Sequence, residues 1–254
     1  MTIFALRIMA ASTALLSVAL LVGCGGGGSG STASGASGSS TPPASTSYPI
    51  KQAMHAMYAN GYQKTYTVTG TATVSGQVFP FSGSLQISQT LVNANATFNG
   101  QAAIEDAMSG TGTVTVEAQT VNLGNLIQSN VYQTADNTVL GTTTPNSYCI
   151  EQGGSGYPTT AVIGQSGTVS SFACYTDSTK ATSLGTQTVA YSVAAGSSAT
   201  TAIVTLTFTQ FNAANQQTYS QQVNYSVDTS ANISAQSLVY NINVGGIQVS
   251  FTAQ

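Results

Sequence analysis

The sequence predicts an all-β fold, built mainly as an antiparallel meander, with one short helix ahead of the strands. Apolar residues alternate with Thr, Ser and other polar residues over most of the chain after residue 61. This period of two is expected of antiparallel strands that have one solvated face. Gly, Asn and Ser separate the alternating segments, and no helical segment lies between them, which excludes a parallel α/β architecture. A sandwich and a half-barrel both fit the pattern.

The helix is predicted between Tyr48 and Gly61. Pro49 suits a first helical turn, and Asn60 followed by Gly61 provides a left-handed stop. The apolar residues of this segment share one helical face. They are Ile50, Ala53, Met54, Met57 and Tyr58.

The strands begin with a predicted hairpin, residues 65–74 and 79–88, joined by a turn at Ser75 and Gly76. Later segments repeat the alternation, and together they indicate about nine to eleven strands. We found no internal repeat and no shift in composition, so residues 48–254 are predicted to form a single β-rich domain. The later segments contain Val114–Val116, Val189–Val193, Val204–Phe208, Val223–Val227, Leu238–Val244 and Ile247–Phe251.

The composition excludes several classes of protein. Four Lys or Arg residues and seven Asp or Glu residues are the only formal charges among 254 residues, whereas there are 32 Ser and 37 Thr. With so few cations and a net charge of −3, the chain cannot neutralise a nucleic-acid backbone, so nucleic acid is not an expected partner. An apolar content of 42 % is enough to build a core, which excludes disorder.

The first 24 residues have the pattern of an export signal. Arg7 precedes an apolar run over residues 8–22, and this run is shorter than the roughly 20 residues that span a bilayer. The run ends in Leu21-Val22-Gly23-Cys24, which resembles the lipobox of bacterial lipoproteins.

The resemblance implies that residues 1–23 are a signal peptide removed before Cys24. It also implies a diacylglyceryl thioether on the Cys24 sulfur and an acyl chain, such as palmitate, on the new amino terminus; two or more chains anchor stably. Gly25, where an inner-membrane lipoprotein tends to have Asp, favours the outer membrane, on either its periplasmic or its surface side. Residues 24–47 are rich in Gly, Ser, Thr, Ala and Pro, which predicts a flexible tether that follows the lipidated Cys.

Cys149 and Cys174 are the cysteines that remain once Cys24 is lipidated. An exported protein folds in an oxidising compartment, so a disulfide between them is expected. It would close a loop that contains the irregular segment 151–158. A zinc site is the alternative, but no further Cys is available and the single His is far away in the sequence.

Candidate catalytic residues are scarce. His55 is the only histidine, and it could be a general base or a soft-metal ligand with Met54 and Met57. A helix that docks on a sheet explains the same residues without chemistry. Glu105 and Asp106 are adjacent and therefore point apart, although distant carboxylates can meet in space, which keeps a carboxylate-based hydrolase as a residual alternative. We expect no enzymatic activity, and assign no catalytic residue, metal ligand or cofactor.

Three functions from different classes fit these observations. The first is an anchored binding or interaction module whose Thr, Ser, Asn, Gln and Tyr surface contacts envelope polymers, a protein or a small ligand. The second is a periplasmic carrier of lipids or other hydrophobic ligands, because a helix followed by a long meander resembles half-barrel lipoprotein carriers in element order alone. The third is a component of a membrane β-barrel, whose strands also alternate.

Overall fold

The computed structural model describes residues 46–122, 127–244 and 246–254. The predicted signal peptide, Cys24 and nearly all of the tether 24–47 lie outside these described residues. The described part of the chain contains one helix and fifteen strands. In chain order they are β1 Ser47–Tyr48, α1 Ile50–Asn60, β2 Tyr62–Val74, β3 Gln77–Phe98, β4 Gln101–Val116, β5 Gln119–Asn122, β6 Ile127–Gln133, β7 Val139–Thr144, β8 Ser147–Gly153, β9 Ala161–Val162, β10 Ser166–Tyr175, β11 Ser183–Ala195, β12 Thr201–Phe211, β13 Gln217–Asp228, β14 Ile233–Val244 and β15 Ile247–Ala253.

The predicted helix is confirmed, with Pro49 at its start and Gly61, which has a φ of 67°, directly after its end. A positive φ is tolerated by Gly because it has no Cβ. The helix buries the face that the sequence predicted. Its buried residues are Ile50, Ala53, Met54, Met57 and Tyr58.

The long strands form one antiparallel sheet that closes on itself. Its order is β3-β2-β15-β14-β13-β12-β11-β10-β8-β7-β6-β4, and β4 also pairs with β3. Among the described residues this is a barrel-like ring of twelve strands. Strand β5 pairs with β4 outside the ring, and β1 pairs with β9 in a separate two-stranded sheet. The all-β, mainly antiparallel fold class with one short helix is therefore confirmed.

The strand count was underestimated: about nine to eleven were predicted, whereas the described part has fifteen. The missing strands are short or rich in Gly, Thr and Ser. Strand β7 reads Val-Leu-Gly-Thr-Thr-Thr, and such a segment has too few apolar residues for alternation to identify it.

The two faces of the sheet differ in chemistry. Inward positions carry the apolar residues, for example Leu206, Phe208 and Val223, which belong to one buried cluster with the apolar face of α1. The packing leaves a void of only about 10 Å³ beneath the helix. On β11 to β15 and on β2, most outward positions carry uncharged polar residues. One row crosses six strands, from β11 to β15 and on to β2: Thr188, Thr209, Ser220, Asn241, Ser250 and Thr71.

The tip of the β3–β4 hairpin packs on a second, smaller cluster. The ring of Phe98 stacks on Tyr132 and Tyr148, with centroids 4.6 Å and 4.9 Å apart. Lys180 Nζ donates to Asn99 Oδ1 at the hairpin turn, over 2.9 Å. These contacts hold the long hairpin against β6 and β8.

In the described part of the chain, no helix has both the length and the apolar character needed to cross a membrane.

Candidate functional site

Helix α1 is fixed to the β6–β7 turn and to the β8–β9 connection. Lys51 Nζ lies 3.3 Å from Asp136 Oδ2, and His55 Nδ1 lies 3.0 Å from Asn137 Oδ1. The backbone N–H of Lys51 donates to the carbonyl of Pro158 over 3.0 Å. The helix therefore covers the interior where β6 ends.

The arrangement does not support the soft-metal alternative for His55. Its side chain is exposed, whereas Met54 and Met57 are buried in the core. His55 is thus on a different face of α1 from the two methionines. Within the described ranges, no group of three His, Cys, Asp or Glu residues is positioned to hold a metal ion.

The adjacent carboxylates Glu105 and Asp106 point to opposite faces of β4, as predicted. Glu105 Oε1 accepts hydrogen bonds from Asn130 Nδ2 (2.6 Å) and from the Tyr132 hydroxyl (3.0 Å). Asp106 faces the interior and is only 1 % exposed. Asp228, in contrast, ends β13 with its carboxyl in solvent, where a hydrogen bond from Asn232 lowers the pKa of that carboxyl.

Asp106 belongs to a set of buried polar residues on the interior wall of β3, β4, β6 and β7. We call this set the interior polar patch. Six of its side-chain atoms have no hydrogen-bond partner among the described residues: Gln89 Nε2, Gln89 Oε1, Asp106 Oδ1, Ser129 Oγ, Gln133 Oε1 and Thr142 Oγ1. Buried polar atoms are usually paired, since an unpaired one costs about 1–3 kcal/mol. The patch therefore holds six of the eight buried side-chain atoms that lack a partner in the described part of the chain; the other two are the Tyr66 hydroxyl and Gln187 Nε2.

One hydrogen bond lies within the patch. Gln133 Nε2 donates to Asp106 Oδ2 over 2.7 Å. Burial raises the pKa of Asp106 to about 6, and the hydrogen bond from Gln133 only partly opposes this effect. At neutral pH the carboxyl is thus ionised in a buried position, with one partner for its two oxygens.

A second group of interior polar residues is fully paired. Gln221 Nε2 donates to the Tyr240 hydroxyl over 2.6 Å, and the Tyr219 hydroxyl donates to Gln221 Oε1. Burial raises the pKa of both tyrosines well above its ordinary value, so both stay neutral. This trio is a satisfied network, and it makes the unpaired atoms of the interior polar patch stand out.

The outer face has its own concave feature, which we call the outer groove. It has a volume of about 390 Å³ and lies over β2, β13, β14 and β15. Within it, Ser250 Oγ donates to Asn241 Oδ1 over 2.9 Å. No charged side chain is among its lining residues. The outward-pointing polar side chains that line it include Thr71, Thr73, Asn241, Asn243, Gln248 and Ser250.

The predicted disulfide is confirmed. Cys149 and Cys174 are bonded to each other, with Cα atoms 4.0 Å apart. They are direct partners in the pairing of β8 with β10, and both are buried. The bond is therefore a cross-strand link in the wall of the barrel, and neither sulfur is available as a metal ligand.

Neither the interior polar patch nor the outer groove was predicted from the sequence. A signal for the patch does exist, because Gln89 continues the inward phase set by Leu85 and Ile87, and Asp106 shares the phase of Met108. The outer groove has no comparable signal in the sequence, since its residues come from distant parts of the chain.

No family model, no curated protein and no solved structure matches this chain.

Proposed function

We propose that the protein is an outer-membrane-anchored lipoprotein whose β-rich domain is a binding module for neutral, hydroxyl-rich polymers of the cell envelope. The observation that carries this proposal is the outer groove, a concave surface of about 390 Å³ whose lining contains no charged residue. The proposal gives the chain no catalytic role.

The chemistry of the groove favours neutral glycans. Hydroxyl and amide side chains both donate and accept hydrogen bonds, and they line the groove on four neighbouring strands. A phosphorylated or acidic polymer would need cationic partners, and the lining contains none. Repeated hydroxyl groups along a neutral glycan can pair with successive Thr, Asn and Ser side chains such as Thr71, Asn241 and Ser250.

The filled interior also favours a protein that binds its ligand on the outer surface, in preference to a carrier that holds a ligand in an internal cavity. Ligand pockets have volumes of about 300 Å³ or more, whereas the void beneath α1 is about 10 Å³. Met57, Tyr58, Leu206 and Phe208 are among the residues that surround it. A hydrophobic ligand would have to displace these side chains, so an outer surface is the better candidate for binding.

A charge placed in the groove should weaken glycan binding. We expect the protein to retain at least one neutral glycan in a panel of envelope polysaccharides, and Thr71→Lys to weaken that binding about tenfold, or about 1.4 kcal/mol. Thr71 is exposed on the groove wall, so the substitution should leave the fold intact. Binding can be measured by affinity electrophoresis and by calorimetry.

Thr113→Lys is the matched control, because Thr113 is exposed on the outer face of β4 and is not among the lining residues of the groove. It should bind like the wild type. Binding to none of the glycans, or equal weakening by both substitutions, would count against the proposed site.

The lipid anchor is a separate part of the proposal, supported by Leu21-Val22-Gly23-Cys24. We expect Cys24→Ala to abolish incorporation of labelled palmitate and to remove the protein from the membrane fraction, because the thioether forms on that sulfur. Ser29→Ala, a control in the predicted tether, should leave both unchanged. Persistent labelling of the Cys24→Ala variant would contradict the anchor at this residue.

A further inference from the structure

The first row of the interior polar patch is defined by strand register. Gln89 on β3 and Ser129 on β6 are both direct partners of Met108 on β4. Directly opposed residues point to the same face, with Cβ atoms about 4.5–5.5 Å apart. Gln89 and Ser129 therefore flank Met108 on one interior wall, and both are buried.

The second row lies next to the first along the strands. Asp106 on β4 and Thr142 on β7 are both direct partners of Val131 on β6. Gln133 follows two residues after Val131 and reaches Asp106 through its 2.7 Å hydrogen bond. The five polar side chains thus share one continuous area of wall, and none is more than 4 % exposed.

The unpartnered atoms of this area are rich in acceptors. They comprise a carboxylate oxygen of Asp106, amide oxygens of Gln89 and Gln133, and the hydroxyl oxygens of Ser129 and Thr142. Gln89 Nε2 is the single atom among them that can only donate. Carboxylate, amide and hydroxyl oxygens are ligands that suit a hard cation.

The charge of Asp106 has no counter-charge from the described lysines. Lys51 pairs with Asp136. Lys64 Nζ donates to two backbone carbonyls on β14, and Lys180 Nζ to an asparagine of the β3–β4 turn. In the part of the chain that the structure describes, Asp106 is hydrogen-bonded by a neutral amide alone. A buried carboxylate is strongly stabilised by a bound positive charge.

The packing around the interior polar patch limits the size of a positively charged ligand that could bind there. Met108, which separates Gln89 from Ser129, also lines the void of about 10 Å³. The five polar side chains do not line that void, and each is at most 4 % exposed. Because protein interiors are closely packed, the wall around them leaves room for a small ligand and not for an organic amine. We propose that the interior polar patch binds a single hard metal cation, with Asp106 as its only anionic ligand and with amide and hydroxyl oxygens as its neutral ligands.

The test is a cation-specific gain in stability. Protein treated with a chelator and exchanged into tetramethylammonium chloride at pH 7.5 is melted with CaCl₂, MgCl₂, NaCl or KCl at constant ionic strength. For a site with the 10⁻⁴–10⁻³ M affinity typical of weakly charged calcium sites, we expect the fitting divalent cation at 10 mM to raise the Tm by about 3–10 °C. If the cation that fits is Na⁺ or K⁺ instead, we expect a rise in Tm of similar size at about 100 mM of that ion, by the same linkage between binding and stability. Native mass spectrometry should find one such ion per chain.

Asp106→Asn should lose the shift, because it removes the anionic ligand with little change in shape. Asp228→Asn removes an exposed carboxylate and should keep the full shift. Ser129→Ala, which removes one neutral oxygen, should weaken ion binding without unfolding the protein. If no cation raises the Tm of the wild type, if Asp106→Asn shifts as much as the wild type, or if no ion is found by mass spectrometry, the interior polar patch is not a cation site.

Discussion

Replacing Phe208 by alanine should lower the free energy of unfolding by about 3–5 kcal/mol, the range measured for Phe→Ala substitutions in cores. Phe208 is fully buried on β12, and it lines the small void beneath α1. The substitution removes the aromatic ring from the interior and adds its volume to that void. Urea unfolding of the two proteins measures the difference.

Because the sheet is closed, we expect the loss in free energy of unfolding to lie in the upper part of that range. The cost of a large-to-small substitution depends on how far the neighbouring structure can collapse into the space. Phe208 is paired with Val189 on β11 and with Gln221 on β13, so backbone hydrogen bonds restrain its strand on both sides. Gln221 is itself held by two tyrosine hydroxyls and cannot move inward without breaking that network.

Thr209→Ala is the matched control, because the next residue of the same strand points outward. Its effect should stay below about 1 kcal/mol, the span of β propensity. If Phe208→Ala costs no more than Thr209→Ala, the interior is not packed around Phe208 in the way that the structure indicates.

The local structure of this chain could be predicted from local sequence. The apolar residues of α1 recur at helical spacing between Pro49 and Gly61, and the same five residues are buried. The first hairpin turns at Ser75 and Gly76 as expected, and both have positive φ values. Each of these features depends on residues that are close together in the chain, so periodicity and turn chemistry are sufficient.

The closure of the sheet could not be predicted in this way. It requires β15, near residue 250, to pair with β2, near residue 70, with Ser250 opposite Thr71. Alternation shows which face of each strand is apolar, but it does not show which strands are neighbours. A sandwich, a half-barrel and a closed ring all bury the same apolar residues, which is why the sequence left the architecture open.

The interior polar patch could not be predicted from the sequence because of the residue types that form it. Gln, Ser and Thr are mostly exposed in proteins, so Gln89, Ser129 and Thr142 read as solvent-facing residues. His, Cys and clustered carboxylates are the residues that indicate a metal site in a sequence, and the only carboxylate close to Asp106 in the sequence is Glu105, which points away from it. Recognising the patch required the register of four strands, which places four neutral residues beside one carboxylate.

Removing the disulfide should be the other large loss of stability. The bond joins residues that are 25 positions apart, and the chain-entropy relation for such a loop gives about 3.5 kcal/mol. We therefore expect Cys149→Ala/Cys174→Ala to lower the urea midpoint by about 1–2 M. Because each sulfur is buried, loss of packing adds to the entropic effect.

The reduced wild type separates the covalent link from the packing of the sulfur atoms. It keeps both buried side chains and loses only the bond, so its midpoint should fall by most of the same amount. The double variant should not respond to reductant. Strands β8 and β10 remain paired through Ser171, Phe172 and Ala173, so the native fold should persist in both forms without denaturant. Equal midpoints for the oxidised and reduced wild type would mean that the unfolded chain gains little freedom when the bond opens, and the barrel wall would then owe its stability to strand pairing and core packing.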